Sequence, residues 1–469
     1  MITRLTALPP AGVTRTVAGI TRTGVGVLRS SFAPLSLGPS VFSEAGTDML
    51  KTGPATAEYL DLVPTLTNRG TGSDSTQATA ANQPVALPLI GGAGYLHLPG
   101  VAGNYASVPD AADLDGFGDF TLQVDDVVLD DWTSTGDKSL VAKSTGSNAS
   151  YIFKVSATDG KLDLLISFDG SSFSTYVSTA ATSATDGAPA SFKVIRTGSD
   201  IKFYEDTGSG FAQLGATVSG VSTTLFAGAA AVEVGSFNGG LSSLFPGSIG
   251  RARIWSDATQ TTNVLDIDFS LAAHKATSFT ATSGQTVTIN QSGDNPADII
   301  ARPVLRLDGI DDYLAGTFAA LDLTVGGTMF LVASVLGAGG EAGARLLSTW
   351  VTGDGLIDGF IFSWHSGADL LSYNAANLLT HTGGYTGRFL HEVSAFDLDS
   401  TSLLNNAGEQ TSAKDLSAVA STDFAIGAQH AGSANPAIDL ELILLYPRVL
   451  TAAESTNVRS WISTNYATH

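Results

Sequence analysis

The chain has no cysteine. Disulfide staples, a thiolate zinc site and a cysteine nucleophile are therefore excluded. Methionine is scarce, at 3 of 469 residues, which leaves little to oxidise. Charged residues make up only 14%, too few to coat the outside of a helix bundle. No apolar run approaches the roughly 20 residues of a membrane-spanning helix. Arg4, Arg15 and Arg22 interrupt the apolar stretch that a secretory leader needs. Positive charge is also short: 23 Lys and Arg stand against 44 Asp and Glu, for a net charge of −21. Such a surface repels nucleic acid and anionic membranes, so neither a nucleic-acid partner nor membrane insertion is expected.

What is present points to β structure. The 52 glycines and 16 prolines, with abundant Ser, Thr and Val, suit many short strands joined by tight turns. Alternation is clear at Phe120-x-Leu122-x-Val124. Tyr151–Val155, Leu162–Phe168, Phe192–Ile195, Ile201–Tyr204, Met329–Val332, Phe360–Phe362, Phe389–Val393 and Leu442–Leu445 read as further strands. Short strands at this spacing, parted by Gly, Ser and Asp, predict sandwiches of antiparallel sheets. One helix is expected, over 452–464. Thr451-Ala-Ala-Glu454 is a capping box, and Val458, Trp461 and Ile462 follow on one face.

The chain repeats itself. Leu96-His-Leu98-Pro-Gly100 leads to Tyr105, and Leu305-Arg-Leu307-Asp-Gly309 leads to Tyr313. Each copy closes on an apolar strand, at Ile249–Trp255 and at Leu440–Tyr446. A period of this length means two whole domains. The expected division is an arm at 1–53, a first sandwich at 54–270 and a second at 271–469. The arm is apolar and Gly-rich, has no acid before Glu44, and carries Arg4, Arg15, Arg22 and Arg29. It cannot form a core alone. These arginines are expected to anchor it to a partner protein; the alternative is packing against the chain's own second domain.

The opening and closing segments resemble concanavalin A-like lectin/glucanase domains of the laminin-G-like type. Leu307-Asp-Gly-Ile-Asp-Asp-Tyr313 matches that family's opening strand–turn–strand, and Tyr446-Pro-Arg-Val-Leu-Thr-Ala-Ala-Glu454 its close. The first copy, Leu98-Pro-Gly-Val-Ala-Gly-Asn-Tyr105, has lost every acid of the opening turn. Ser191 through Gly215 looks like the fold's long central hairpin. The resemblance implies an all-β chain of two tandem concanavalin A-like antiparallel β-sandwiches (jelly rolls). Thr76–Pro84 and Ala276–Gln285 are similar to lead-in segments of bacteriophage particle proteins. The implied protein is a virion component, a fibre, spike or capsid/tail decoration on the outside of a particle. It would dock on phage capsid or tail proteins through residues 1–53, assemble as a homo-oligomer such as a trimer, and touch host-surface glycans.

Site chemistry is weighed on the same residues. Asp308, Asp311 and Asp312 lie within five residues of a turn, which suits Ca²⁺; equally, such acids fix turns by accepting backbone N–H bonds. Trp132, Trp350 and Trp364, with Tyr373 and Asn374, are the candidates for stacking on and hydrogen bonding to sugar. No cofactor is required. Hydrolysis of glycosides needs paired carboxylates. Asp439-x-Glu441 and Asp266-x-Asp268 each place two acids on one strand face, but the Glu-x-Asp-x-x-Glu strand of the glucanases is absent. Both pairs read as solvated edge charges, so no catalytic residue is expected. A polysaccharide depolymerase and a secreted bacterial lectin are the alternatives weighed.

Overall fold

The computed structural model describes residues 16–17, 20–21, 33–37, 39, 41–52, 55–129, 131–132, 136–220, 222–322, 327–336, 345–348, 361–365, 369–374, 377–381, 388–395, 400–405, 408–413, 420–428 and 435–466. Arg4, Arg15, Arg22, Arg29 and Trp350 lie outside them. The described residues form two antiparallel β-sandwiches, a two-stranded pair of Thr16–Val17 with Ile20–Thr21, and one C-terminal α-helix. Among the described residues no helix is long and apolar enough to cross a membrane.

Period-two alternation builds both cores. In Phe120–Leu129 the side chains of Leu122 and Val124 are fully buried in the first sandwich. A bulge between Val124 and Val127, with Asp126 at a φ of 54°, then hands the strand from Arg251–Trp255 to Pro246–Ile249. The predicted central hairpin is present: Ala190–Thr197 pairs with Asp200–Asp206, closing on Thr197 opposite Asp200.

The sandwiches divide the chain differently from the expected boundaries. The first has a ten-stranded and an eight-stranded sheet, and every strand of both lies between Tyr95 and Ile300. The second has an eight-stranded and a nine-stranded sheet. Its strands run from Val304 to Tyr446 and also include Val41–Glu44, Met49–Leu50, Thr65–Leu66, Ser75–Thr76 and Val85–Leu87. The first sandwich is thus inserted into the second. The latter part of the expected arm is core: Val41 and Met49 are buried with Leu307, Ile443 and Leu445.

The lead-in segments are exchanged between the repeats. Val85–Leu87 precedes the first sandwich yet pairs with the opening strand of the second, Ala86 opposite Leu305. Asp298–Ile300 precedes the second yet pairs with the opening strand of the first, Ile299 opposite Leu96. Likewise Ser75–Thr76 flanks Leu314–Asp322, and Thr286–Asn290 flanks Tyr105–Val108. The physical reason is that each lead-in carries apolar residues, such as Ala86 and Ile299, that only a neighbouring sheet can bury.

The two sandwiches meet back to back. Tyr59, Leu87 and Val304 pack against Tyr95, Val128 and Ile300. Beside this patch lies a buried ionic tetrad. Arg306 donates from Nε and Nη2 to Asp439 (2.7 and 2.8 Å) and from Nη2 to Asp298 (2.8 Å). Lys275 donates to Asp298 at 2.6 Å and also to Asp439. Arg306 and Asp439 belong to the second sandwich; Lys275 and Asp298 belong to the first. Burial opposes ionisation of Asp439, but Arg306 and Lys275 hold its carboxyl below the ordinary range. Two cations and two anions cancel, so removing one member strands a buried charge. Asp439→Ala is expected to cost about 3–5 kcal/mol in urea unfolding. That loss should be full at neutral pH, begin to shrink once pH falls below the ordinary carboxylate range, and vanish only at the lower pH where the folded carboxyl itself protonates.

The helix, Ala452–Tyr466, begins as predicted: Thr451 N–H donates to Glu454 Oε2 (2.8 Å) and Glu454 N–H donates to Thr451 Oγ1 (3.3 Å). Val458, Ile462 and Tyr466 cover Leu442, Leu444 and Tyr446 on the outer face of the sheet. Trp461 meets Phe42 edge-on, and Tyr466 Oη donates to Glu44 Oε1 at 2.5 Å. Helix and N-terminal strand therefore seal the same face.

Candidate functional site

Of the predicted aromatic residues, Trp132 falls in the first sandwich, Trp364, Tyr373 and Asn374 fall on strands of the second, and Trp350 lies outside the described residues. Trp132 is buried; its ring packs edge-on against Phe192, and its Nε1–H donates to the Thr185 carbonyl at 3.1 Å. This corrects its expected role, because an indole enclosed in a core offers no face to a sugar. Trp364 lies on Ile361–His365, opposite Leu370, and Tyr373 and Asn374 lie on the adjacent Asp369–Asn374, with Tyr373 opposite Ile361.

The acidic turn is assembled. Asp308, Asp311 and Asp312 bring one carboxylate oxygen each to within 4.8 Å of one another. Asp308 Oδ1 accepts from Ile310 N–H (2.7 Å), the turn bond expected there, and Asp312 Oδ2 accepts from Asp308 N–H (3.0 Å), so the second turn bond comes from Asp312 where Asp311 was expected to make it. Asp312 is buried, and burial, with Asp308 and Asp311 beside it, raises its pKa to about 7. The first repeat has Asn104 at the matching position before its tyrosine. That amide is also buried: it accepts from Ser292 and Ala297 and donates to Val101 and Ser292 carbonyls. A neutral amide in one repeat and a crowded carboxylate in the other distinguish the two turns. The donor set of three carboxylates is that of a hard divalent cation.

The sequence reading missed a third arrangement, on the outer face of the ten-stranded sheet. Strand pairing sets Gln213, Tyr204, Lys193, Gln123, Arg253 and Asp266 side by side across six strands. Directly opposed side chains of this kind stand about 5 Å apart. Lys193 Nζ lies 4.2 Å from the Phe211 ring centre and 5.2 Å from that of Tyr204. Burial lowers the pKa of Lys193. Among the described residues no ion pair reaches it, so its N–H donors sit over two aromatic faces. Beside it Arg253 donates to Asp125 (2.5 Å), Gln123 Nε2 donates to Asp125 (2.6 Å), and Arg253 lies over Trp255. The signal was there: Arg251-x-Arg253-x-Trp255 alternates with Ala252 and Ile254, and only the latter pair is core.

Neither carboxylate pair is a solvated edge, which corrects the reading from sequence. Asp439 and Glu441 are buried, Asp439 in the tetrad and Glu441 3.7 Å from His274. The strand carrying them, Ala437–Tyr446, is flanked on both edges. Asp266 takes both arms of Arg251 (2.7 and 2.5 Å), and Asp268 caps the turn at Ser270.

No family model matches the chain, and no curated protein does. Solved structures do. The LG4-5 domains of the mouse laminin α1 chain match over 76% of this chain and 91% of theirs, at 13% identity and a TM-score of 0.27. The LG1-3 region of the laminin α2 chain matches over 78% and 65%, at 11% and 0.31. A pentraxin from Limulus polyphemus matches over 42% and 95%, at 13% and 0.30. The likeness is one of sandwich architecture; matches this loose bear on neither ligand nor role.

Proposed function

We propose that this chain is a non-catalytic glycan-binding protein that works from the surface of a larger assembly, of the virion type. The observation that carries the reading is Lys193 beside the half-buried Tyr204 and Phe211 rings, with Arg253 one strand beyond the buried Gln123 on the same sheet face. Aromatic faces take the C–H face of a pyranose, and the lysine and guanidinium take its hydroxyls. A charged hydrogen bond is worth about 1.5–3 kcal/mol, so Lys193→Ala should weaken binding by about tenfold or more, and an aromatic contact about 0.5–1.5 kcal/mol, so Tyr204→Ala should weaken it by about three- to tenfold. A glycan array followed by titration of the best hit tests this. Full affinity in both variants, or no glycan retained by the wild-type protein, would sink the reading. Multivalent display from a particle would make weak single contacts sufficient. The acid-free leader with Arg4, Arg15, Arg22 and Arg29 supports such anchoring through complementary charge.

Calcium belongs to the same proposal, at Asp308, Asp311 and Asp312. Asp312 has a raised pKa in the folded chain, so its contribution to stability is full below about pH 4 and is lost as pH rises toward 7. The shift corresponds to a few kcal/mol at most, at about 1.4 kcal/mol per pH unit. Asp312→Asn keeps the acceptor for Asp308 N–H and removes the charge. At pH 8 in chelator it is expected to unfold at higher urea than wild type, and millimolar Ca²⁺ should reverse the order. An unchanged order would leave the turn as hydrogen bonding alone.

A further inference from the structure

Among the described residues, one strand edge of the first sandwich has no covering strand: Ser174–Ala181 ends the eight-stranded sheet and pairs only with Lys161–Ile166. Edge strands expose unpaired N–H and C=O groups, and native chains blunt them with charge, proline, brevity or a covering loop. The other edges of this sandwich follow that rule. Ser278–Thr280 has three residues, and Ala212–Gln213 and Val218–Ser219 have two each. Asn263–Asp268 is sealed by Thr282 N–H on the Asp266 carbonyl (2.9 Å) and Gln285 on the Val264 carbonyl (2.9 Å). Ser174–Ala181 has eight residues, and the whole run 171–185 contains no charge, proline or glycine. Only its C-terminal half is covered, where Ala216 N–H donates to Thr179 Oγ1 at 2.6 Å. Over the open half the exposed side chains are Phe173, Thr175 and Val177, with Phe173 and Val177 each 38% exposed.

We propose that this edge pairs antiparallel with the same edge of a second copy of the chain, about a two-fold axis at Thr175. The occupant follows from charge and symmetry. In an isologous contact each patch meets itself, and a chain of net charge −21 can do that at close range only through an uncharged patch. The register follows from the exposed side chains. With Thr175 opposite Thr175, Phe173 of one copy lies against Val177 of the other, and both apolar groups leave water. The two eight-stranded sheets become one continuous sheet, a strand addition between equals.

Sedimentation velocity of the full chain over a concentration series is expected to show 48.0 kDa monomers converting to a species of twice that mass. Val177→Lys puts a hydrated charge, drawn to Asp163 on the adjacent strand, where Phe173 of the other copy has to pack, and should weaken association at least tenfold while leaving the melting temperature unchanged. Because the chain lacks cysteine, Thr175→Cys gives a clean reporter. Opposed residues in such a pair fall within disulfide reach, so mild oxidation should yield a covalent dimer, whereas Thr158→Cys, exposed on a turn elsewhere, should not. A wild-type chain that stays monomeric, a Val177→Lys dimer of undiminished strength, or a trimer in which Thr175→Cys does not cross-link would each overturn the proposal.

Discussion

A fragment of residues 95–300 is expected to fold alone, and a fragment of 54–270 is expected not to. The expected domain boundary at 270 would remove Thr286–Asn290 and Asp298–Ile300 from the first sandwich. Val287, Ile289 and Ile299 are buried in that core with Leu96, Ala106 and Val108. Each large apolar side chain contributes about 1.5–3 kcal/mol when buried, so losing three removes roughly as much as a typical domain has in reserve. It also bares the edges of Tyr95–Pro99 and Tyr105–Val108, inviting aggregation. The fragment 54–270 would retain Val85–Leu87, which loses its strand partner Val304–Asp308 without the second sandwich. Cooperative urea unfolding, read by tryptophan fluorescence, separates the outcomes. A cooperative transition in the fragment 54–270 would mean that its own lead-in can replace the exchanged one.

Sequence pattern revealed faces but not partners. The β class, the two repeats, the hairpin at Ala190–Asp206 and the capped helix were readable because alternation, turn composition and capping chemistry are local. The exchange of lead-ins was not, because Val85–Leu87 has the same composition whichever opening strand it pairs with. Asp439 and Glu441 were misread for a related reason. Two acids on one strand face imply solvent unless a distant Arg306 and Lys275 are known to meet them, and the pairing of Leu305 with Leu440 that brings Arg306 near is long-range. The polar row was half visible. Arg251, Arg253 and Trp255 alternate within five residues, but Lys193, Tyr204 and Gln123 join them only through sheet order. The close-packed glycines were also beyond pattern. Gly235 lies against Leu98, and Gly427 against Leu307, the leucine before each opening turn; both glycines have φ near +80 to +90°. This shared approach is a second trace of the repeat, visible only once the strands are in place.

The anchoring proposed for the leader and the packing seen for its end fall on either side of residue 33, and two deletions should separate them. Removing residues 1–32 is expected to leave the melting temperature within a degree or two of wild type while abolishing attachment to a partner assembly. Removing residues 1–45 is expected to destabilise the second sandwich by several kcal/mol. The second deletion takes away Val41–Glu44, which pairs with Leu442–Leu445 of the long closing strand. Val41 and Phe42 are buried, and at about 1.5–3 kcal/mol each they account for most of the loss. Glu44 goes with them. It accepts from Arg69 (2.5 Å) and from Tyr466 (2.5 Å), so Arg69 keeps only Asp48, and the end of the helix loses its tie. Trp461 loses its edge contact with Phe42, and the open flank of Ala437–Tyr446 becomes a hydrophobic edge. A particle-incorporation assay with the 1–45 deletion would therefore fail for a trivial reason, unfolding, and would say nothing of anchoring. The 1–32 deletion is the clean test: incorporation at wild-type occupancy, with an unchanged melting curve, would end the anchoring proposal.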